Sequence, residues 1–402
     1  MELLRDSIPA VSLAAAAAAL YARAASSLLR PGLPRLVALL PVLALLAAAP
    51  LAFASSAIVR GVAAFFLAWL GAFKVALLAA GRGPLHPALP VLPFLFTALL
   101  PVKLRRGGAS EAKPALPTLA SCAVKAAVMA ALVGLYRLNA RLHIYARLAL
   151  YGAHTYCFLD LLLPCVAAAA GALGMETEPQ FDRPYLASSL RDFWGRRWNL
   201  MVSAVLRPAV YDPVRARAGP AAGVLAAFAA SGAMHEAMVC YLSLRWPPGG
   251  GMAAFFALHG ACCVAEGWCA RRWGDRRPPP RAVATVAVGL FVAGTSFWLF
   301  FPALLKDGVE ERFLEEWAAV AAFFLDAGGK MNSIVKSSKN IHPPPDDPSH
   351  HSEFFQIITV SAVAALLLPR RQRLLVLLLD TFLRLVARLA GRTAHTATPA
   401  PH

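Results

Sequence analysis

The sequence predicts an all-α, polytopic membrane protein, and three observations carry that prediction. Of the 402 residues, 58% are hydrophobic and only 15% charged, whereas a soluble domain of this size carries about 25% charged residues. The apolar residues gather into runs of about 17 to 25, the length that crosses roughly 30 Å of hydrocarbon. Between the runs lie short polar breaks rich in Lys and Arg.

The spans follow in order. They are expected at 8–29, 36–54, 61–80, 86–101, 118–136, 146–173, 221–244, 251–270 and 283–301, about nine crossings in all. The first resembles a secretory signal, because Ala14 to Ala19 precede small residues near Ala25. The spans that follow favour a retained helix. Residues 1–325 therefore form a membrane-embedded core, with 174–220 as its longest polar interval. Residues 326–353, which include HPPPDDPSHH, read as a polar, Pro-rich linker. Residues 354–402 hold two shorter apolar runs, 354–368 and 374–390, suited to a hairpin or surface helices, then a disordered tail.

The formal charge of +17 suggests nucleic acid at first sight, but the positive residues sit in the breaks between spans. A positive-inside bias accounts for them, so no nucleic-acid partner is expected. The most basic connections, 102–117, 174–220 and 271–282, are separated from each other by two spans each. That spacing puts all three on one face, the cytosolic one. The seven cysteines lack the spacing of a zinc or iron–sulfur site, and Cys262, Cys263 and Cys269 share one span. They read as small packing residues, and neither a metal nor a disulfide framework is expected.

The interval 174–220 carries the first chemical signal, RDFWGRRWNL. Ser189 and Asp192 form a capping pair and Pro208 should end the helix near Arg207, which predicts nearly five continuous turns. At 100 degrees per residue, Trp194, Trp198, Met201 and Val205 fall on one side, and Arg196, Asn199, Ser203 and Arg207 on the other. Such a helix suits the membrane surface, as an interfacial anchor or as a reader of anionic groups.

The second signal is SGAMHEAM, which puts His235 and Glu236 inside the span 221–244. Ionisable side chains within a span usually line a cavity or a substrate path. His235 shares a face with Ser231, Gly232, Met238, Val239 and Leu242; Ser231 and Gly232 leave room beside the imidazole for a neighbouring helix or a substrate. Glu236 points about 100 degrees away, where it suits substrate binding or a buried pair with a base on another span. Burial away from water favours the neutral, proton-accepting imidazole. A structural histidine bonded to another helix is the competing reading. His154 with Asp160, and His259 with Glu266, suit structural hydrogen bonding better than a proton path, and Lys74 and Lys125 snorkel or pair.

A buried base suits removal of a proton from a bilayer-dissolved hydroxyl, whose oxygen then attacks an activated acyl carbonyl. The sequence has neither a GxSxG elbow nor a Cys/His nucleophile arrangement, so direct transfer between two bound substrates is the simpler scheme. The Asn199 amide suits the developing oxyanion. Arg191, Arg196, Arg197 and Arg207 suit phosphates of a nucleotide-bearing acyl donor. A proton-coupled transporter is the rival from another class, but inverted repeats with broken helices are not evident.

FDRPYLASSLRDFWGRRWNLMVSAVLRPAVYDPVR (181–215), SGAMHE (231–236) and FFALHG with Glu266 resemble the plant, jojoba-type wax synthases. These are long-chain-alcohol O-fatty-acyltransferases of the membrane-bound O-acyltransferase superfamily, and the likeness covers roughly residues 30–325. The resemblance implies a multi-helix core with an internal tunnel in the endoplasmic reticulum membrane. It further implies transfer from acyl-CoA, a co-substrate rather than a resident cofactor, to a fatty alcohol, giving a wax ester. His235 matches the superfamily's active-site histidine and Asn199 the asparagine of its Trp-Asn motif; Trp198, Arg196, Arg197, Arg207, Ser231 and Glu236 are the candidate substrate-binding residues. Sterol or diacylglycerol is the alternative acceptor. Oligomeric state is not encoded at this level.

Overall fold

The computed structural model describes residues 5–105, 128–136, 141–246, 249–273 and 279–320. Among them no strand forms; an isolated bridge joins Leu104 and Thr177. The principal helices are α1 (Ile8–Leu28), α2 (Leu33–Ala52), α3 (Ala57–Ala79), α4 (Val91–Leu99) and α5 (Ile144–Ala172). The short α6 (Leu190–Asp192) follows, then α7 (Leu200–Leu206), α8 (Asp212–Ser243), α9 (Gly251–Trp273) and α10 (Arg281–Leu304).

Seven stretches among the described residues are long and apolar enough to cross a membrane: α1, α2, α3, α5, the run from α7 through α8, α9 and α10. The expected span at 86–101 is instead the nine-residue α4, about 14 Å long and less than half the hydrocarbon thickness. Pro87, Pro90 and Pro93 explain its brevity, because each removes a backbone donor. The expected span at 118–136 lies largely outside the described residues, as do Lys125, the linker and the C-terminal apolar runs.

α1 buries Val11, Ala15, Ala19, Ala22 and Ser26, a stripe at helical spacing. Without side-chain bulk there, α1 packs closely on α2 and α4. Leu39, Leu46, Leu70, Leu78 and Phe94 fill the core between these helices and α3, which extends to Leu163 of α5 and to Met201 and Val205 of α7. The middle of α3, Ala64–Gly71, widens into π-helical turns whose eight residues are all buried.

Buried charges in this bundle are matched to helix ends. Arg35 donates to the carbonyls of Ser26, Leu29 and Leu78, at the C-terminal ends of α1 and α3. Arg60, 0% exposed, donates to the carbonyls of Tyr241 and Leu242 at the end of α8 and of Phe53 and Ala54 beside it. Lys74 donates to Thr97 and Leu100 at the end of α4 (2.8 and 2.7 Å). At the opposite pole, Glu316 accepts from the N–H groups of Ala57 and Ile58, the start of α3. A helix exposes unpaired carbonyls at its C-terminus and unpaired N–H groups at its N-terminus, so each charge meets the complementary pole.

α8 and α9 form the most extensive helix pair. α8 is interrupted once, at Gly219 (φ 85°, ψ 172°), a conformation that glycine alone adopts readily. Pro220 then occupies the first position of the renewed helix, so the membrane-crossing part begins within a residue of the expected 221. α9 approaches α8 over Gly232, where an added Cβ would lie 3.1 Å from Ala253 Cα and 3.3 Å from Phe256 Cβ.

Gly232→Leu should therefore separate α8 from α9, costing about 1–3 kcal/mol or more through overpacking. Gly294→Leu, where a Cβ meets open space, serves as the control. Fluorescence-detected size-exclusion chromatography after a heat ramp checks this: the first variant should lose its folded peak many degrees below wild type, and the control should not.

Candidate active site

His235 sits on α8 one turn beyond Ser231, and its Nδ1 donates to the Ser231 carbonyl (2.8 Å). That bond requires a proton on Nδ1, so that in the neutral ring Nε2 carries the lone pair. Aromatic rings hold the imidazole from several sides: Trp69 edge-on at 4.8 Å between centroids, Phe256 at 4.3 Å and Phe300 at 6.0 Å. The ring keeps accessible surface, because it faces a partly open cavity of about 1510 Å³. The cavity wall is largely apolar and aromatic, supplied by α3, α5, α8, α9 and α10.

The 189–207 segment does not form the five-turn helix its sequence suggests. Ser189 caps as expected, its Oγ accepting from Asp192 N–H (3.0 Å). The helix then widens over Phe193–Arg197 and ends at Trp198, with Asn199 in the left-handed region (φ 43°). Asparagine tolerates that conformation better than most residues. Its Oδ1 accepts from Val202 N–H (3.4 Å), so Asn199 starts α7, and the amide NH₂ is left as its free polar function. Pro208 does not stop the chain either: it lies in the wide turn Arg207–Tyr211 that leads directly into α8. Propensity lost here to tethering: Leu200 N–H donates to Gln180 and Asp182 N–H to the Arg197 carbonyl, both at 2.9 Å.

α9 supplies two further tethers. Glu266 accepts from the N–H groups of Leu190 (2.9 Å) and Arg191 (3.0 Å), capping α6 from outside. His259, 0% exposed, accepts the Trp194 indole N–H at Nδ1 (3.0 Å) and donates from Nε2 to Thr295 Oγ1 (2.9 Å). Both residues thus make the structural hydrogen bonds expected of them.

His235, Asn199, Trp198, Arg196, Arg207 and Ser231 all line the one cavity. Arg197 and Glu236 do not. Arg197 is held by Asp192 (2.7 Å) and by the carbonyls of Asp182 and Arg183, which makes it a brace of the segment rather than a substrate contact. Among the described residues Glu236 pairs with no base; one of its oxygens accepts from Ala253 N–H (3.0 Å) at the start of α9. Its side chain is not part of the cavity lining, in keeping with its 100-degree offset from His235 around α8. Arg191, Arg196 and Arg207 make one basic rim, all three exposed to solvent.

Sequence reasoning did not single out Trp69, Phe256 or the Tyr136–His154 pair, whose Oη and Nδ1 lie 2.6 Å apart on the cavity wall. Trp69 lies in a uniformly apolar span, where hydropathy gives no reason to separate one side chain from its neighbours. The pairing of Trp194 with His259 joins residues 65 apart, and only the tryptophan's unpaired donor hints at it.

Comparison with known proteins returns one family and a set of full-length relatives. The membrane bound O-acyl transferase family profile matches residues 177–258, the stretch that holds both motifs. A probable long-chain-alcohol O-fatty-acyltransferase of Arabidopsis thaliana is 40% identical over 305 residues, 72% of this chain and 89% of that relative. The long-chain-alcohol O-fatty-acyltransferase of Simmondsia chinensis is 36% identical over 325 residues, covering 76% and 92%. An acyl-CoA–sterol O-acyltransferase of Arabidopsis thaliana is 35% identical over 325 residues, covering 77% and 93%.

The Asp192–Arg197 brace yields a pH test. Burial alone would raise the Asp192 carboxyl, but hydrogen bonds from Arg197 and Ser188 N–H outweigh it and hold Asp192 below the ordinary carboxylate range. A lowered pKa means the stabilisation is complete above the unfolded value of about 3.9 and is lost as pH falls through the folded value. Asp192→Asn should thus destabilise the solubilised protein at pH 7 by about 1–3 kcal/mol. Thermal unfolding should show that gap closing as pH drops below about 4; a gap that persists in acid contradicts the assignment.

Proposed function

The chain belongs to the membrane bound O-acyl transferase family, among its long-chain-alcohol O-fatty-acyltransferases, and we propose that it esterifies a long-chain fatty alcohol with the acyl group of acyl-CoA, with His235 as general base. The observation that carries the reading is an imidazole whose Nδ1 is committed to Ser231 and whose ring borders a large apolar cavity shared with Asn199.

In this scheme the alcohol's O–H gives its proton to His235 Nε2 while its oxygen attacks the thioester carbonyl. The carbonyl oxygen takes up negative charge, and the Asn199 NH₂ donates to it. The carbon–sulfur bond then breaks and the imidazolium returns the proton to the coenzyme A sulfur. No acyl-enzyme and no metal are needed, and acyl-CoA is consumed as a substrate. Arg191, Arg196 and Arg207 suit its phosphates at the rim. Arg197 and Glu236 have no direct part: Arg197 is held by Asp192, and neither residue lines the cavity.

The chain is a multi-pass membrane protein, which we assign to the endoplasmic reticulum with the basic rim on the cytosolic side, where acyl-CoA is available. A sterol acceptor is the second reading, favoured by the sterol-acylating relative of comparable likeness. Microsomes from a host that makes no wax, supplied with labelled acyl-CoA and separate alcohols, sterols and diacylglycerol, decide the acceptor by product. The expected product is a wax ester; a steryl ester alone would overturn the alcohol assignment.

Two variants test the chemistry at constant folded protein. His235→Ala should lower turnover by about 10²- to 10⁴-fold. Asn199→Asp keeps the left-handed backbone and the cap oxygen but removes the NH₂ donor, so kcat should fall about 10- to 1000-fold. Near-normal turnover in either variant removes that residue from the mechanism.

A further inference from the structure

We infer that His259 is a positioning residue for the acyl transfer: through its hydrogen bond to Trp194 it fixes the Phe193–Trp198 turn and thereby sets where Asn199 stands in the cavity. The inference rests on the proposed function for its catalytic meaning, while the clamp itself rests on geometry alone.

The route of the coupling is short. Thr295 Oγ1–H donates to the Phe291 carbonyl (2.7 Å), which turns its lone pairs towards His259 Nε2–H. His259 must then carry its proton on Nε2 and offer Nδ1 as an acceptor, the opposite tautomer to His235. The Trp194 indole N–H fills that acceptor, and Phe255 (4.3 Å) and Phe291 (5.2 Å) pack on the imidazole. Both ring nitrogens are thus satisfied, which leaves His259 unsuited to proton transfer with substrate.

Trp194 is gripped a second time, its carbonyl accepting from Ser203 Oγ–H (3.2 Å) on α7. Four residues on, Trp198 N–H donates to the Phe193 carbonyl (2.9 Å) and closes the turn; Asn199 follows at once. A shift at Trp194 therefore reaches Asn199 through one closed turn. Glu266, seven residues beyond His259 and on the same face of α9, anchors the other end of the segment at Leu190 and Arg191. Two side chains of one rigid helix thus define the segment's position relative to α8, against which α9 packs over Gly232.

The test is a double-mutant cycle. Trp194→Phe keeps a ring and removes the N–H; His259→Leu removes both of its hydrogen bonds; His259→Gln restores an acceptor and a donor on one side chain. Each of the first two should lower kcat by about ten- to a hundredfold, because small misplacements at a reacting centre are costly. The KM for the alcohol should stay within about twofold of wild type, the signature of an interaction realised in the transition state. The double variant should be no slower than the slower single one, and His259→Gln should recover most of the rate. Hydrogen exchange of the full-length protein should quicken over 189–199 in His259→Leu and return towards wild type in His259→Gln.

Multiplying single effects, a loss confined to KM, or unchanged exchange over 189–199 would each overturn the clamp. If wild type forms no ester, the proposed function fails instead, and exchange still decides the clamp.

Discussion

The structure depends on one electrostatic constraint: charges taken into the membrane interior are neutralised by helix ends. An unpaired charge in hydrocarbon is costly, and so is an unpaired backbone group at a helix terminus. The bundle offsets each cost with the other. Arg35, Arg60 and Lys74 sit on carbonyls where helices finish. Glu236, Glu266 and Glu316 sit on N–H groups where helices begin. A buried ion pair would satisfy two side chains and leave the helix ends they now cap unresolved. Here each side chain joins two elements, so the charges act as fasteners.

The site inherits its geometry from those fasteners. α8 is pinned at its far end by Arg60 on Tyr241 and Leu242, and is tied to the start of α9 by Glu236. His235 immediately precedes Glu236 on this pinned stretch, its Nδ1 committed to Ser231. From α9, Glu266 and His259 reach the segment that carries Asn199. The only group left for chemistry on each reacting residue is the one its structural role does not use: Nε2 of His235 and the NH₂ of Asn199. Histidine and asparagine suit this division because each carries two distinct polar functions on one side chain.

Much of this was legible in the sequence for physical reasons. Hydropathy located the long spans because helices in lipid must be apolar over a fixed length. His235 announced itself as an ionisable residue in such a span, and six of the eight candidate residues share its cavity. Three features were not legible. Helical periodicity carried the 189–207 segment through Asn199, since a left-handed residue between two tethered neighbours, Arg197 on Asp182 and Leu200 on Gln180, is a tertiary effect with no period. Charge alone grouped Arg197 with Arg191, Arg196 and Arg207 as a phosphate reader, although Asp192, five residues earlier, claims it. A hydropathy window also fits the nine residues of α4 as readily as a full crossing, because it does not register three prolines as lost donors.

The central claim is that the reacting bond lies between His235 Nε2 and the Asn199 amide. The most direct measurement is a cryo-EM structure of the full chain with a non-hydrolysable thioether analogue of a long-chain acyl-CoA. The account predicts the acyl chain in the aromatic cavity, the phosphates among Arg191, Arg196 and Arg207, and the carbon that replaces the carbonyl close enough to Nε2 for an alcohol oxygen to fit between, within hydrogen-bond reach of each. An acyl chain that bypasses the cavity, or a reactive carbon separated from His235 by the Trp69 or Phe256 ring, would contradict it.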